Sequence, residues 1–177
     1  MSTPRRAIYA ASLLLAIMTG VCLAETPHLG KPLDEAAVAA WDISILPDGT
    51  GLPKGSGKPA QGAPIYAEKC AMCHGENGKG GFAAALVSDA KIDGISASQK
   101  TIKNFIGDST TIFDFIRRAM PFQAPRSLSD NEVYALTAYI LAENKLIGAN
   151  DVMNAETLPK VRMPNRDNFI IRFPDRI

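Results

Sequence analysis

The sequence predicts an all-α fold with irregular N- and C-terminal extensions, and three observations carry that prediction. Gly62, Tyr66 and Cys70 recur at i, i+4 and i+8, so they share one face of a helix. Ile112, Phe113, Phe115, Ile116 and Ala119 carry the apolar faces of a second helix, Thr110 to Met120, which stops at Pro121. Ser129-Asp130-Asn131-Glu132 matches a capping box, and Val133, Leu136, Thr137, Ile140 and Leu141 follow at helical spacing to near Asn144.

At 177 residues the chain allows one domain plus extensions, and a hydrophobic content of 46% can supply a core. A formal charge of +1 with no basic run argues against nucleic acid as a partner. Residues 1–24 read as an export signal: Arg5 and Arg6 precede the apolar run Ala7 to Met18, and Val21-Cys22-Leu23-Ala24 offers cleavage after Ala24. That run of 12 is short of the ~20 residues a spanning helix needs, so no transmembrane segment is expected in the mature chain. Val21 is bulky where a lipoprotein signal wants a small residue, and the arginine pair lacks a twin-arginine context. Cleavage removes two arginines and no acid, which takes the formal charge from +1 to −1. It also removes Cys22, leaving Cys70 and Cys73 as the only cysteines of the mature form.

Residues 25–60 form an N-terminal extension without a sustained period. Asp34 to Trp41 is a short candidate helix with acids at its start. Ile43-Ser44-Ile45 alternates briefly, and Leu46 to Ala60 is a Pro/Gly loop. Trp41, the single tryptophan, is expected to pack on the domain or on a partner.

Residues 61–148 hold the chemistry. Gly62 leaves room for another helix to cross closely, and the last helix, with Tyr139, is the natural partner for the Gly62/Tyr66 face. The first helix runs into Cys70-Ala71-Met72-Cys73-His74, the C-x-x-C-H pattern of a c-type haem attachment site. In that reading the two thiols add across the porphyrin vinyl groups and His74 meets the iron. Zinc would need further Cys or His ligands, and only His28 remains elsewhere. A thioredoxin-like pair would need a βαβ setting that this neighbourhood does not offer. Gly75 to Gly81 reads as a tight loop passing close to the porphyrin. It is no phosphate loop, because no strand precedes it and no Lys-Ser/Thr pair follows. Thr101 to Gly107 is a further helical turn.

The sixth iron ligand has few candidates. Met72 lies inside the attachment loop and cannot reach the opposite face. Met120 and Met163 both precede proline, which disfavours helical geometry in the residue before it. Position prefers Met120, between the haem-binding helix and the last helix; His28 and an open site are the alternatives. A His/Met pair favours a relatively high reduction potential. Residues 149–177 form a C-terminal strap broken by Pro159, Pro164 and Pro174, with anchors expected at Phe169, Ile170, Ile171 and Phe173.

With helix, CxxCH, distal Met-Pro and capped last helix in order, Gln61 to Gly148 resembles class I cytochrome c, which implies a mono-haem helical fold with first and last helices crossing. The runs Ala40 to Pro53, Phe115 to Pro125 and Leu158 to Arg166 resemble the cytochrome subunit of bacterial sulfite or sulfane dehydrogenase, the SoxD-like proteins. That resemblance implies a periplasmic electron-transfer subunit, not itself an enzyme, with one covalent haem c. Cys70 and Cys73 would attach it, and His74 and Met120 would be its axial ligands. A molybdenum-cofactor subunit would be the electron donor, and a downstream cytochrome c or other carrier the acceptor. Arg117, Arg118 and Arg126 around the distal methionine, with the arginines of the strap, are candidate docking charges; a solvated rim or pairing with haem propionates is the simpler reading. A freely diffusing carrier and a subunit of another periplasmic dehydrogenase are the alternatives. Extensions of 36 and 29 residues favour a stable partner over diffusion.

Overall fold

The structure, a computed structural model, describes residues 29–91 and 99–170. The export signal, His28, Ile171 and the end of the strap therefore lie outside the described residues. In order come α1 (Glu35–Trp41), β1 (Ser56–Gly57), α2 (Pro59–Lys69), α3 (Ala71–His74), α4 (Ile102–Phe105), α5 (Ser109–Ala119), α6 (Asp130–Glu143) and β2 (Met153–Asn154). Short 3-10 turns occupy Glu76–Gly78, Leu158–Lys160 and Arg166–Asn168.

Each helix begins where local chemistry permits. The Asp34 carboxylate accepts from the Ala37 amide at 2.7 Å, satisfying a free N–H at the start of α1. Pro59 opens α2, where the missing N–H costs nothing. At α6 the capping box is complete: Ser129 Oγ accepts from the Glu132 amide, and the Glu132 carboxylate accepts from the Ser129 amide at 2.8 Å. α5 ends at Met120, which turns extended (φ −118°, ψ 145°) ahead of Pro121. α1 exposes Val38, and Trp41 is 80% exposed rather than packed on the domain.

From Trp41 onward the residues belong to one unit, organised on the crossing of α2 and α6. A Cβ on Gly62 would stand 2.0 Å from the Ala135 carbonyl oxygen, so the backbones meet here as only glycine allows. The Tyr66 and Tyr139 rings stack beside that contact at 5.0 Å. α5 packs on the same helix through Phe113 and Tyr134, whose ring centres lie 4.4 Å apart.

The core extends well beyond residues 61–148. Ile45 and Leu52 pack against it from the N-terminal arm, and Tyr134 Oη donates to the Pro53 carbonyl at 2.9 Å. Met153, Leu158, Val161 and Met163 enter it from the C-terminal strap. Burial of such side chains stabilises by roughly 1.5–3 kcal/mol apiece. Arm and strap join in a two-residue antiparallel ladder, Ser56 opposite Asn154 and Gly57 opposite Met153. Of the anchors expected from apolar content, Phe169 is 56% and Ile170 92% exposed, and Ile171 and Phe173 lie outside the described residues. Earlier, isolated side chains of the strap enter the core without any helical period.

Candidate haem site

Between α2–α3 on one side and α4–α5 on the other lies a cleft of about 520 Å³, within the range of small-molecule and cofactor sites. Cys70, Cys73, His74 and Met120 all line it. Its walls are Leu86, Ile102, Ile106, Ile112, Leu136 and Ile140, with Phe82, Phe115 and Phe122 also contributing. The four sequence-predicted site residues therefore meet in one apolar space.

Local folding explains how they get there. α2 ends at Cys70, whose amide still bonds to Tyr66; a new turn, α3, then carries Cys73 and His74. The two cysteines sit one turn apart and both face the cleft. Burial pushes the Cys70 thiol up to about 11, surroundings that suit a neutral sulfur such as a thioether. His74 Nδ1 lies 2.8 Å from the Ala84 carbonyl oxygen, which can only accept. Nδ1 therefore carries the proton, leaving Nε2 as the nitrogen with a free lone pair.

The loop after His74 is held from both sides. Tyr66 Oη donates to the Gly75 carbonyl at 3.0 Å, and Tyr139 Oη donates to Asn77 Oδ1 at 3.1 Å. Burial raises both phenols above their ordinary range, so they remain donors. The glycine run does not line the cleft, contrary to the expectation of close porphyrin approach. Gly75 and Gly80 have φ of 77° and 98°, and a Cβ on Gly75 would lie 2.1 Å from the Gly80 carbonyl. These glycines let the loop fold on itself.

The methionines separate cleanly. Met120 lines the cleft, Met72 is 80% exposed, and Met163 is 1% exposed within the core. Among the described residues no other methionine borders the cleft. Of the arginines near Met120, Arg117 pairs with Asp130 at 3.2 Å and Arg118 with Asp114 at 2.8 Å, while Arg126 is exposed. Arg162 and Arg166 in the strap pair with Asp167 and Asp108. Sequence reasoning missed Ala84, Tyr66 Oη and Asn77 as supports, because their roles arise only when distant segments meet.

The donor set, the apolar lining and the free His74 nitrogen fit a c-type haem. Among the described residues no helix is long and apolar enough to cross a membrane. The family model of the cbb3-type cytochrome c oxidase subunit III matches residues 57–140. The cbb3-type cytochrome c oxidase subunit FixP of Azorhizobium caulinodans is 40% identical over 84 residues, 45% of this chain and 25% of that protein. Subunit CcoP of an Azospirillum species is 31% identical over 91 residues, 48% of this chain and 28% of that protein. The chain thus spans about a quarter of these curated relatives. A chain in the crystal structure of the sulfane dehydrogenase SoxCD from Paracoccus pantotrophus matches with a TM-score of 0.75 and 32% identity, over 85% of this chain and 75% of that one. The cleft and these likenesses agree: the chain belongs to the c-type cytochromes, electron-transfer proteins, and resembles a chain of the sulfane dehydrogenase SoxCD.

Proposed function

We propose that this protein is a periplasmic mono-haem cytochrome c that accepts electrons from a molybdenum-cofactor dehydrogenase subunit acting on sulfite or sulfane sulfur, and hands them to a downstream carrier. One observation carries the reading. The oxidase-subunit matches cover only about half of the chain, whereas the likeness to the sulfane dehydrogenase chain takes in 85% of it. Cytochrome core, arm and strap cannot all fit within 57–140, so the wider match includes extension sequence. Extensions elaborated to this degree suit a lasting partner better than random encounter.

In this reading Cys70 and Cys73 would hold one haem c through thioether bonds, and His74 Nε2 and the Met120 sulfur would be the donors to its iron. When bound, the haem supplies a one-electron iron couple. The chain's own residues do the rest. Ala84 orients the His74 ring and fixes its tautomer. The apolar walls exclude water and, with methionine ligation, favour the reduced iron. The experiment is to purify the native protein under mild conditions, assay molybdenum, and follow haem reduction on adding sulfite or a sulfane-loaded carrier. Molybdenum in stoichiometric amount and substrate-driven reduction are expected. A protein isolated alone and reduced only by a terminal-oxidase chain would favour the diffusing-carrier reading.

A further inference from the structure

The helix that delivers Met120 is gripped at both ends by the arm and the strap. At its start, Ser109 Oγ donates to the Leu158 carbonyl at 2.6 Å, with both residues buried. Asn165, 4% exposed, donates from Nδ2 to the Phe105 carbonyl at 2.8 Å. Arg166 reaches Asp108 at 3.2 Å, and the Phe169 ring lies against Gly107. All four contacts converge on Phe105–Ser109, the turn between α4 and α5, whose Ile106 lines the cleft. At the far end, Arg118 Nη2 donates to the Ile43 carbonyl at 2.9 Å while its Nε is held by Asp114. Among the described residues, none from the strap lines the cleft itself. The described part of the strap thus reaches the site through the Phe105–Ser109 turn and the helix that follows it.

We propose that Ser109 and Asn165 are positioning residues for the sixth iron ligand: through them the strap fixes α5 and keeps Met120 seated. The proposal rests on Met120 being that ligand. Met120 sits one residue beyond α5, on extended backbone, so its sulfur goes where the helix goes. An external ligand can bind the iron only when Met120 has left. Its apparent affinity then scales with the fraction of molecules in that open state. Removing Ser109 Oγ leaves the Leu158 carbonyl with the Val161 amide alone, removing Asn165 Nδ2 takes the donor from the part-buried Phe105 carbonyl, and each loss loosens the strap's hold on the start of α5. A mere contribution of the strap to global stability predicts something different. It would lower the melting temperature and leave ligand exchange in the folded protein unchanged.

The test uses the full-length, fully matured ferric protein with imidazole as the probe. Ser109→Ala and Asn165→Ala are each expected to raise imidazole affinity about tenfold, equivalent to about 1.4 kcal/mol. The methionine–iron charge-transfer band should persist in both before imidazole is added. Asn131→Ala, which breaks the bond from the Ser56 amide at 2.9 Å and none to α5, serves as the stability control and should leave the affinity alone. Arg166→Gln, at the outer edge of the grip, is read for a smaller rise if the two buried variants fail to accumulate haem. Met120→Ala separates the two layers of the argument: if it retains the band, the ligand assignment is wrong. If it loses the band, yet Ser109→Ala, Asn165→Ala and Arg166→Gln all bind imidazole like the parent, the positioning role is overturned, whatever their melting temperatures.

Discussion

Gly62→Ala is the substitution whose consequence the geometry states most directly. The new methyl carbon would lie 2.0 Å from the Ala135 carbonyl oxygen, 2.6 Å from its carbon and 2.8 Å from Tyr139 Cβ. Two of these three are backbone atoms of α6 and cannot rotate away. Restoring ordinary contact of at least 3.4 Å requires the helices to part by about 1.4 Å, an overpacking change that costs about 1–3 kcal/mol. The same separation loosens the Tyr66–Tyr139 pair, a loss of about 0.5–1.5 kcal/mol. Against this, alanine is better than glycine in a helix by about 1 kcal/mol. The net is a loss of about 0.5–3.5 kcal/mol, or roughly 1–14 °C in melting temperature for a chain of this size. The measurement is thermal unfolding of the haem-loaded protein by far-ultraviolet circular dichroism. A melting temperature equal to or above that of the parent would mean that helix propensity outweighs the clash, and the close-crossing argument would be wrong.

Three further outcomes follow from the same structure. Met120→Ala is expected to abolish the methionine–iron charge-transfer band and lower the reduction potential, whereas Met163→Ala should keep both and instead lose about 2–5 kcal/mol of stability as a buried core truncation; exchanged behaviours would show the strap to be misplaced. Protein matured with its haem should retain it through denaturation and acid–organic extraction, as two thioether bonds from Cys70 and Cys73 require, and extractable haem would reject that linkage. Glu132 is held below the usual carboxylate range by hydrogen bonds from the Ser129 amide and hydroxyl, with Lys69 assisting. Its folded value is depressed, so its stabilisation is present above the unfolded value of about 4.3 and disappears as pH falls through the lower folded one. Glu132→Gln should flatten the acid side of the stability curve, and an unchanged acid dependence would remove the capping box from that account.

The helices and the attachment turn were legible because their signals are local. Periodicity, the Ser129–Glu132 box and the CxxCH spacing each lie within a few residues, and so does the Met120-Pro121 stop. The crossing of α2 and α6 was legible at one remove, since Gly62 and Tyr66 share a face with no other use. What stayed hidden depends on segments far apart in the chain. Met153, Leu158, Val161 and Met163 follow no period and look like loop residues until the fold brings them into the core. The glycine loop was read as serving the porphyrin, yet the chain's own carbonyls are what crowd it. Sequence shows charges but not their partners, so the pairing of Arg117 with Asp130 and of Arg118 with Asp114 beside Met120 could not be read from it.

The short ladder between Ser56–Gly57 and Met153–Asn154 sets an order of assembly. Everything that faces His74 from its own side, α2, α3 and the turn at Glu76–Gly78, is contiguous in the chain and can form by short-range closure. The ladder instead shuts a loop from residue 57 to residue 153, whose closure entropy by the logarithmic rule is about 4 kcal/mol. A contact of such long range is expected to form late and, because it spans only two residue pairs, to open early. Amide exchange should accordingly run faster at Met153 and Asn154 than in α6. The strap is thus a latch that closes after the rest of the domain has taken shape, so a chain cut short during synthesis or trimmed by a protease would keep its Cys70–His74 turn but lose the hold on the start of α5.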